Sequence, residues 1–306
     1  MSRGVLVNLT KCIGCGSCTV ACKMYNGNQW INERAATNGE DAKLADENWT
    51  VIQKFRVPQT AAGMDTGANK RNVSNVSNVS NVSEEHNESK NLNHTNKADR
   101  THGEVWRFVK RQCMHCKEPG CVSSCFAKAF QKTEEGPVIY YPNNCVGCRY
   151  CMLACPFKIP KFEWDKTIPV ITKCVMCSNR IAKGQQPACV SVCPTNVMKF
   201  GDRNSLLAEA KELVSKDKRY VQHIYGEEEA GGTSWIYVSD TPFEQLGFKM
   251  DIPKKPIPSY TSTYMHSTPI VGAVWALILT GLYFFTKRKE LVKTKTAENK
   301  DSETIE

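Results

Sequence analysis

Apolar positions recur along this chain in three patterns. Leu206, Leu207, Ala210, Leu213 and Val214 share one face at helical spacing and predict an amphipathic helix after Gly201. Residues 49–57 (WTVIQKFRV) and 104–110 (EVWRFVK) are short, β-branched and aromatic, and predict two strands that pair antiparallel. The runs 138–141 and 234–239 (SWIYVS) predict further strands, and 17–25 a short helix opening out of a loop. The third pattern is continuous: residues 270–285 (IVGAVWALILTGLYFF) carry no charge at all. Against these stands a polar stretch, 58–103, rich in Asn, Ser and Lys, with Asn-Val-Ser repeated four times from Asn72 to Ser83. Each repeat is formally a glycosylation acceptor, which carries no weight in a bacterial-type protein. Such a segment has too little to bury, so it predicts a disordered insertion between the two paired strands.

Cysteine changes the picture most. All sixteen fall into four quartets: Cys12, Cys15, Cys18 and Cys22; Cys113, Cys116, Cys121 and Cys125; Cys145, Cys148, Cys151 and Cys155; Cys174, Cys177, Cys189 and Cys193. The third quartet, followed by Pro156, is C-x2-C-x2-C-x3-C-P, the bacterial ferredoxin signature for a cubane [4Fe–4S] cluster. The first keeps that spacing without the proline, and the other two lengthen one gap. Three thiolates spaced by two residues wrap a tight loop around one cluster, and the fourth points away to a neighbouring cluster. Four quartets predict four clusters, sixteen cysteine ligands to iron and an electron wire. Structural zinc is the competing reading, and only the fourth quartet, with eleven residues between its second and third cysteines, has a spacing that suits it. A disulfide framework belongs to a small secreted scaffold, which a chain of 306 residues is not.

The clusters reinterpret the charge. A formal +9 invites a nucleic-acid partner, but four oxidised cubanes with their thiolates carry about −2 each and bring the holoprotein near neutrality. The basic excess therefore reads as counter-charge, with Lys11, Arg149, Lys158 and Lys173 placed beside ligands, and no nucleic-acid partner is expected. Trp106, Phe157 and Trp164 are expected to shield clusters from solvent. His115 lies inside a ligand loop and is expected to pack rather than ligate; His223 and His266 stand alone. There is no dinucleotide fingerprint and no P-loop lysine, so no catalytic site is expected in this chain.

With Pro269 and Thr286 the apolar run just reaches transmembrane length. Trp275 and Tyr283 are amphipathic rings, Pro253, Pro256 and Pro258 precede the run, and Lys287, Arg288 and Lys289 follow it. These features favour a single-pass anchor in the lipid bilayer over a buried core helix. The expected organisation is a cluster domain over 1–250, a linker over 251–268, an anchor over 269–286 and a charged tail over 287–306. The basic cluster puts the tail in the cytoplasm and the cluster domain in the periplasm, although Lys254 and Lys255 on the other flank oppose this. The first residues show no export leader. A periplasmic domain would therefore have to cross the inner membrane folded, with a partner bearing a twin-arginine signal; without one it stays on the cytoplasmic side.

The stretches Cys12-Ile-Gly-Cys-Gly-Ser-Cys-Thr-Val-Ala-Cys22, Gln112-Cys-Met-His-Cys-Lys-Glu-Pro-Gly-Cys121, Cys148-Arg-Tyr-Cys-Met-Leu-Ala-Cys-Pro-Phe157 and Pro187-Ala-Cys-Val-Ser-Val-Cys-Pro-Thr195 resemble the four-cluster iron–sulfur subunits of respiratory oxidoreductases. The likeness spans nearly the whole chain except 58–103. It is strongest to the β subunit of membrane-bound formate dehydrogenase and the ferredoxin-like subunit of membrane-bound nickel–iron hydrogenase, both of which end in one membrane helix. The segment 225–233 resembles the hydrogenase version, and the missing leader the formate dehydrogenase version.

The resemblance implies an α+β fold of two interleaved bacterial-ferredoxin-like dicluster modules followed by a C-terminal transmembrane helix. It pairs the first quartet with the fourth and the second with the third. The implied ligand sets are Cys12, Cys15, Cys18 and Cys193; Cys174, Cys177, Cys189 and Cys22; Cys113, Cys116, Cys121 and Cys155; and Cys145, Cys148, Cys151 and Cys125. Phe126 stands where many members have proline, which bears on local loop rigidity only. The implied role is electron transfer between a catalytic subunit, molybdopterin or nickel–iron, and a membrane cytochrome b or quinone-binding subunit. A free-standing polyferredoxin and a zinc-binding interaction module are the alternatives.

Overall fold

A computed structural model describes residues 2–30, 36–58 and 104–303, with side chains to 293. The insertion expected over 58–103 lies outside the described residues except for Pro58, which ends a strand.

The central sheet is built from the two ends of the cluster domain. Strand β1 (Arg3–Asn8) lies between two later strands, one of them antiparallel to it and the other parallel. Helix α1 (Ser17–Asn26) follows the first cysteine loop. Next come β2 (Asn38–Gly39), β3 (Val51–Pro58) and β4 (Glu104–Arg111). The last two form the predicted antiparallel hairpin, from Val51 opposite Arg111 to Pro58 opposite Glu104.

The middle of the chain is short-element structure: α2 (Gly120–Ser123), β5 (Phe130–Lys132), β6 (Val138–Tyr140), α3 (Tyr150–Leu153), β7 (Lys161–Phe162), β8 (Ile171–Thr172), α4 (Ser178–Ile181) and α5 (Ala188–Ser191). β5 pairs with β6 and β7 with β8. The strands β9 (Met198–Asp202) and β10 (Trp235–Val238) then flank β1, with α6 (Arg203–Lys216) between them in sequence.

Alternation along these strands sorts the core into two layers. Leu6, Ile236 and Val238 turn to one face and meet Leu206, Ala210 and Val214 of α6, the helical stripe read in the sequence. Val5, Val7, Trp235 and Tyr237 turn to the other, where Cys18 and Cys189 share their cluster of buried side chains. Asp202 caps α6, its carboxylate accepting from the backbone N–H groups of Asn204 and Ser205.

The C-terminal helix α7 (Ser259–Glu303) is longer than the run that predicts it. It begins inside the segment expected to be a linker and continues through most of the charged tail. Pro256 and Pro258 stop the preceding backbone from being helical, and the tail is rich in Lys and Glu, which are good helix formers. At about 1.5 Å per residue the helix outreaches a hydrocarbon core of about 30 Å. Ser259–Lys293 is the one helix among the described residues long and apolar enough to cross a membrane, and none of its apolar window is buried.

Candidate metal centres

Each quartet opens with a C-x2-C turn, and the four turns share one left-handed position. The residue before the second cysteine is left-handed in every case: Gly14 at φ +71°, His115 at +48°, Gly147 at +70° and Met176 at +55°. The third cysteine is then the second residue of a helix, Cys18 on α1, Cys121 on α2, Cys151 on α3 and Cys189 on α5. Three residues after the last cysteine of three quartets the chain is left-handed again, at Lys128, Lys158 and Asn196. The long spacer of the fourth quartet is taken up by α4, whose N-cap, Cys177, is itself left-handed, unlike the second cysteine of the other quartets. At Gly14 a side chain would force Phe108 to shift, because a Cβ would lie 2.3 Å from its ring.

Helix packing pairs the quartets: α1 packs on α5, and α2 on α3. Cys12, Cys15, Cys18 and Cys193 line one cavity. Cys22, Cys174, Cys177 and Cys189 line a second. Cys116 is surrounded by Cys113, Cys155 and Cys121, and Cys151 by Cys145, Cys125 and Cys148. A zinc ion, with Zn–S bonds of about 2.3 Å, would draw four sulfurs to within about 4 Å of one another. Among the described residues no three or more His, Cys, Asp or Glu side chains are gathered as ligands of a single ion. Thiols spread around a cavity suit a larger inorganic core.

The electrostatics agree with that donor set. Burial, followed by repulsion from neighbouring thiolates, pushes the Cys18, Cys22, Cys121 and Cys151 thiols up to about 12. Burial likewise raises Cys155 to about 11, against backbone N–H groups that lower it. Thiolates at such positions need a compensating positive core. Cys15 is the exception: it is exposed, and the Ser17 hydroxyl lowers its pKa. Backbone N–H groups already point at sulfur, from Gly147 to Cys145 (3.4 Å), from Met176 to Cys174 (3.3 Å) and from Ala129 to Cys125 (3.2 Å).

Of the expected counter-charges, Lys173 alone is buried, its Nζ donating to the carbonyls of Val138 and Cys174. Lys11, Arg149 and Lys158 are exposed. The sequence reading missed Lys110, which is 2% exposed at the end of β4 and lines the cavities of the first and fourth quartets. Its only sequence signal is a lysine closing a strand two residues before Gln112-Cys113. His115 packs as expected, fully buried, its Nδ1 accepting from the Val138 N–H at 2.8 Å. Burial and the charges of Lys173, Lys132 and Lys110 hold its pKa well below normal, so the ring is neutral with its proton on Nε2. His223 does not stand alone; it bonds Glu229 at 2.7 Å.

The shielding expected of Trp106 and Trp164 is corrected. Trp106 lies on the hairpin beneath Lys54 and Arg56. Trp164 is 64% exposed beneath Arg149, because the two-stranded β7–β8 ribbon has no layer over it. Phe157 does pack beside Cys113, Cys155 and Cys174, and Trp235, unforeseen, walls the second cavity.

This fold and donor set define a ferredoxin-type electron-transfer protein, and the chain belongs to the family of 4Fe-4S dicluster iron–sulfur subunits. Two 4Fe-4S dicluster domain families match it, one over residues 11–129 and the other over 104–203. With sixteen cysteines these make four [4Fe–4S] clusters the cofactor complement. The chain is 38% identical to a protein of Nitratidesulfovibrio vulgaris over 95% of this chain and 68% of that one. It is 31% identical to the hydrogenase-2 operon protein HybA of Escherichia coli O157:H7, over 83% of this chain and 73% of the relative. To the iron–sulfur subunit of the nitrate-inducible formate dehydrogenase of Escherichia coli K12 it is 30% identical, over 91% and 82%.

Proposed function

We propose that the sixteen cysteines ligate the four clusters in the sets given above, and that the chain carries electrons between a catalytic oxidoreductase subunit and a membrane cytochrome b or quinone-binding subunit. The clusters supply one-electron carriers; the chain holds them in series and insulates them. The observation that carries this reading is an unbroken line of thiols with an exposed cysteine at each end. Cys18 of the first set is close to Cys189 of the second, Cys174 of the second to Cys113 of the third, and Cys121 of the third to Cys151 of the fourth. Cys15 and Cys148, in the first and fourth sets, are the two exposed cysteines.

The membrane end of the line is the Cys148 end. The segment leading to α7 runs beside the Cys155 loop, with Lys249 donating to the Pro156 carbonyl, and Ile257 lies against Gly120 at the start of α2. Around Cys148 the exposed apolar residues Val146, Tyr150 and Leu153 leave a surface suited to a membrane partner. The catalytic subunit would then meet the Cys15 end. The names of the relatives make a formate dehydrogenase or a hydrogenase the leading candidates for it.

The test is to extract the native complex from membranes, identify its subunits and count its metals. A molybdenum or tungsten subunit names a pterin enzyme, and a nickel–iron subunit a hydrogenase. About sixteen irons per copy, beyond those of the partners, are expected. Zinc in their place would overturn the ligand sets, and recovery as a free soluble iron–sulfur protein would favour a polyferredoxin.

A further inference from the structure

The cavities of the first and fourth quartets share a wall, and Lys110 is in it. Its ammonium lies 4.5 Å from the centre of the Trp235 ring and donates to Gln112 Oε1 at 3.0 Å. Gln112 Nε2 donates to the Tyr237 hydroxyl at 2.6 Å, which in turn donates to the Lys110 carbonyl at 3.1 Å. This closed ring of bonds fixes the head group in one place. Among the described residues no Asp or Glu forms an ion pair with it. A sealed lysine between eight ligand thiols is an expensive feature for a fold to keep as mere packing.

We propose that Lys110 sets the reduction potentials of the two clusters in these cavities, as the fixed positive charge between them. The inference rests on the ligand sets proposed above. A cubane gains one negative charge when it takes up one electron, so a nearby ammonium stabilises the reduced form and raises the potential. One charge shared by two neighbouring sites moves both in the same direction, so it raises both potentials without by itself opening a gap between them. The Cys113 site has its own cations, Lys132 beside Cys113 and Cys116 and Lys173 beside Cys121. The Cys148 site opens to solvent, where a distant charge is screened. Lys110 is therefore a positioning and tuning residue with a local reach. Trp235 adds to the second cavity, since its indole Nε1 is buried and has no hydrogen-bond partner among the described residues.

The experiment is an EPR-monitored redox titration of the membrane-extracted complex carrying Lys110→Gln. Two of this chain's four clusters are expected to become at least about tenfold harder to reduce, a fall of about 59 mV each for a one-electron couple. The other two should keep their wild-type potentials, and Lys110→Arg, which retains the charge, should restore the shifted pair. Should Lys110→Gln assemble incompletely, Lys110→Met, which leaves no polar head group buried, is titrated with the same expectation. The proposal is overturned if a variant with full iron content shows four unchanged potentials, or if all four shift together. Iron counting of the wild-type complex separates the two readings: a deficit there defeats the ligand sets, whereas a full count with unmoved potentials defeats only the role of Lys110.

Discussion

At the two ends of the thiol series the C-x2-C turn carries glycine, Gly14 and Gly147, and each end leaves one cysteine exposed. In the middle of the series the same left-handed position carries His115 and Met176, which are 0% and 1% exposed. The left-handed position is the same and the finish differs. A left-handed residue other than glycine costs roughly 1–2 kcal/mol, and the inner turns accept that cost because a side chain there closes the site. The outer turns stay open, as an electron entering or leaving from a partner requires. Closure then creates an electrostatic problem that solvent cannot solve, and buried lysines answer it at the inner sites.

The sharpest way to break this contrast is to remove one ligand of each kind. Cys189→Ala and Cys148→Ala are each expected to cost the chain one cluster, seen as about four fewer irons by metal analysis. Their effects on stability should differ. Losing the inner cluster takes away one of the two anionic neighbours of buried Lys110, and a cost below the roughly 3–5 kcal/mol of a wholly uncompensated charge is expected. Losing the outer one exposes a site already open to water, so thermal unfolding of the remaining body should move little. Equal losses would show that the inner lysines are not balanced by the inner cluster.

Smaller effects come from the turns themselves. Met176→Ala opens a void in a sealed turn and is expected to cost about 2–5 kcal/mol. A Cβ at Gly147 meets nothing within 4 Å, so Gly147→Ala should cost only its backbone conformation, roughly 1–2 kcal/mol. Gly14→Ala adds overpacking of about 1–3 kcal/mol against Phe108 to the same conformational cost. Urea unfolding of the three variants should rank Gly147→Ala as the mildest; any other order would mean that the left-handed position does not cost the same in these turns.

Much of this was legible from residue order alone, because cysteine spacing encodes a loop and helical or alternating apolar residues encode a face. The α6 stripe and the β3–β4 hairpin are where their patterns put them. Strand β1 was not read, since Val5, Leu6 and Val7 are apolar on both sides and a continuous short run has no period to recognise. The left-handed position of the fourth turn was hidden too. Glycine marks a left-handed position in sequence, and Met176 does not. Lys110 is the clearest case: nothing in a sequence distinguishes a lysine sealed between two cavities from one that ends a strand in water. That distinction exists only once β4 has been laid against β10.

The packing of those two strands, which belong to different sheets, also carries the smallest effect. Arg107 on β4 holds Asp240, just beyond β10, through Nε to Oδ1 at 3.0 Å and Nη2 to Oδ2. The two side chains keep 24% and 23% of their exposure, and the contact raises the arginine pKa through the hydrogen bond. A partly exposed pair is worth about 1 kcal/mol or less once solvent screening is allowed for. Asp240→Asn is expected to destabilise by that amount in 0.1 M salt and by less in 1 M salt, where the screening length falls from about 10 Å to about 3 Å. Lys110 is fixed over Trp235 by its own ring of bonds through Gln112 and Tyr237, three residues along the strand from this pair. The same variant should therefore leave every cluster potential unchanged. A shift confined to the two clusters flanking Lys110 would show that the ion pair, and not the Gln112 network, keeps the lysine in place.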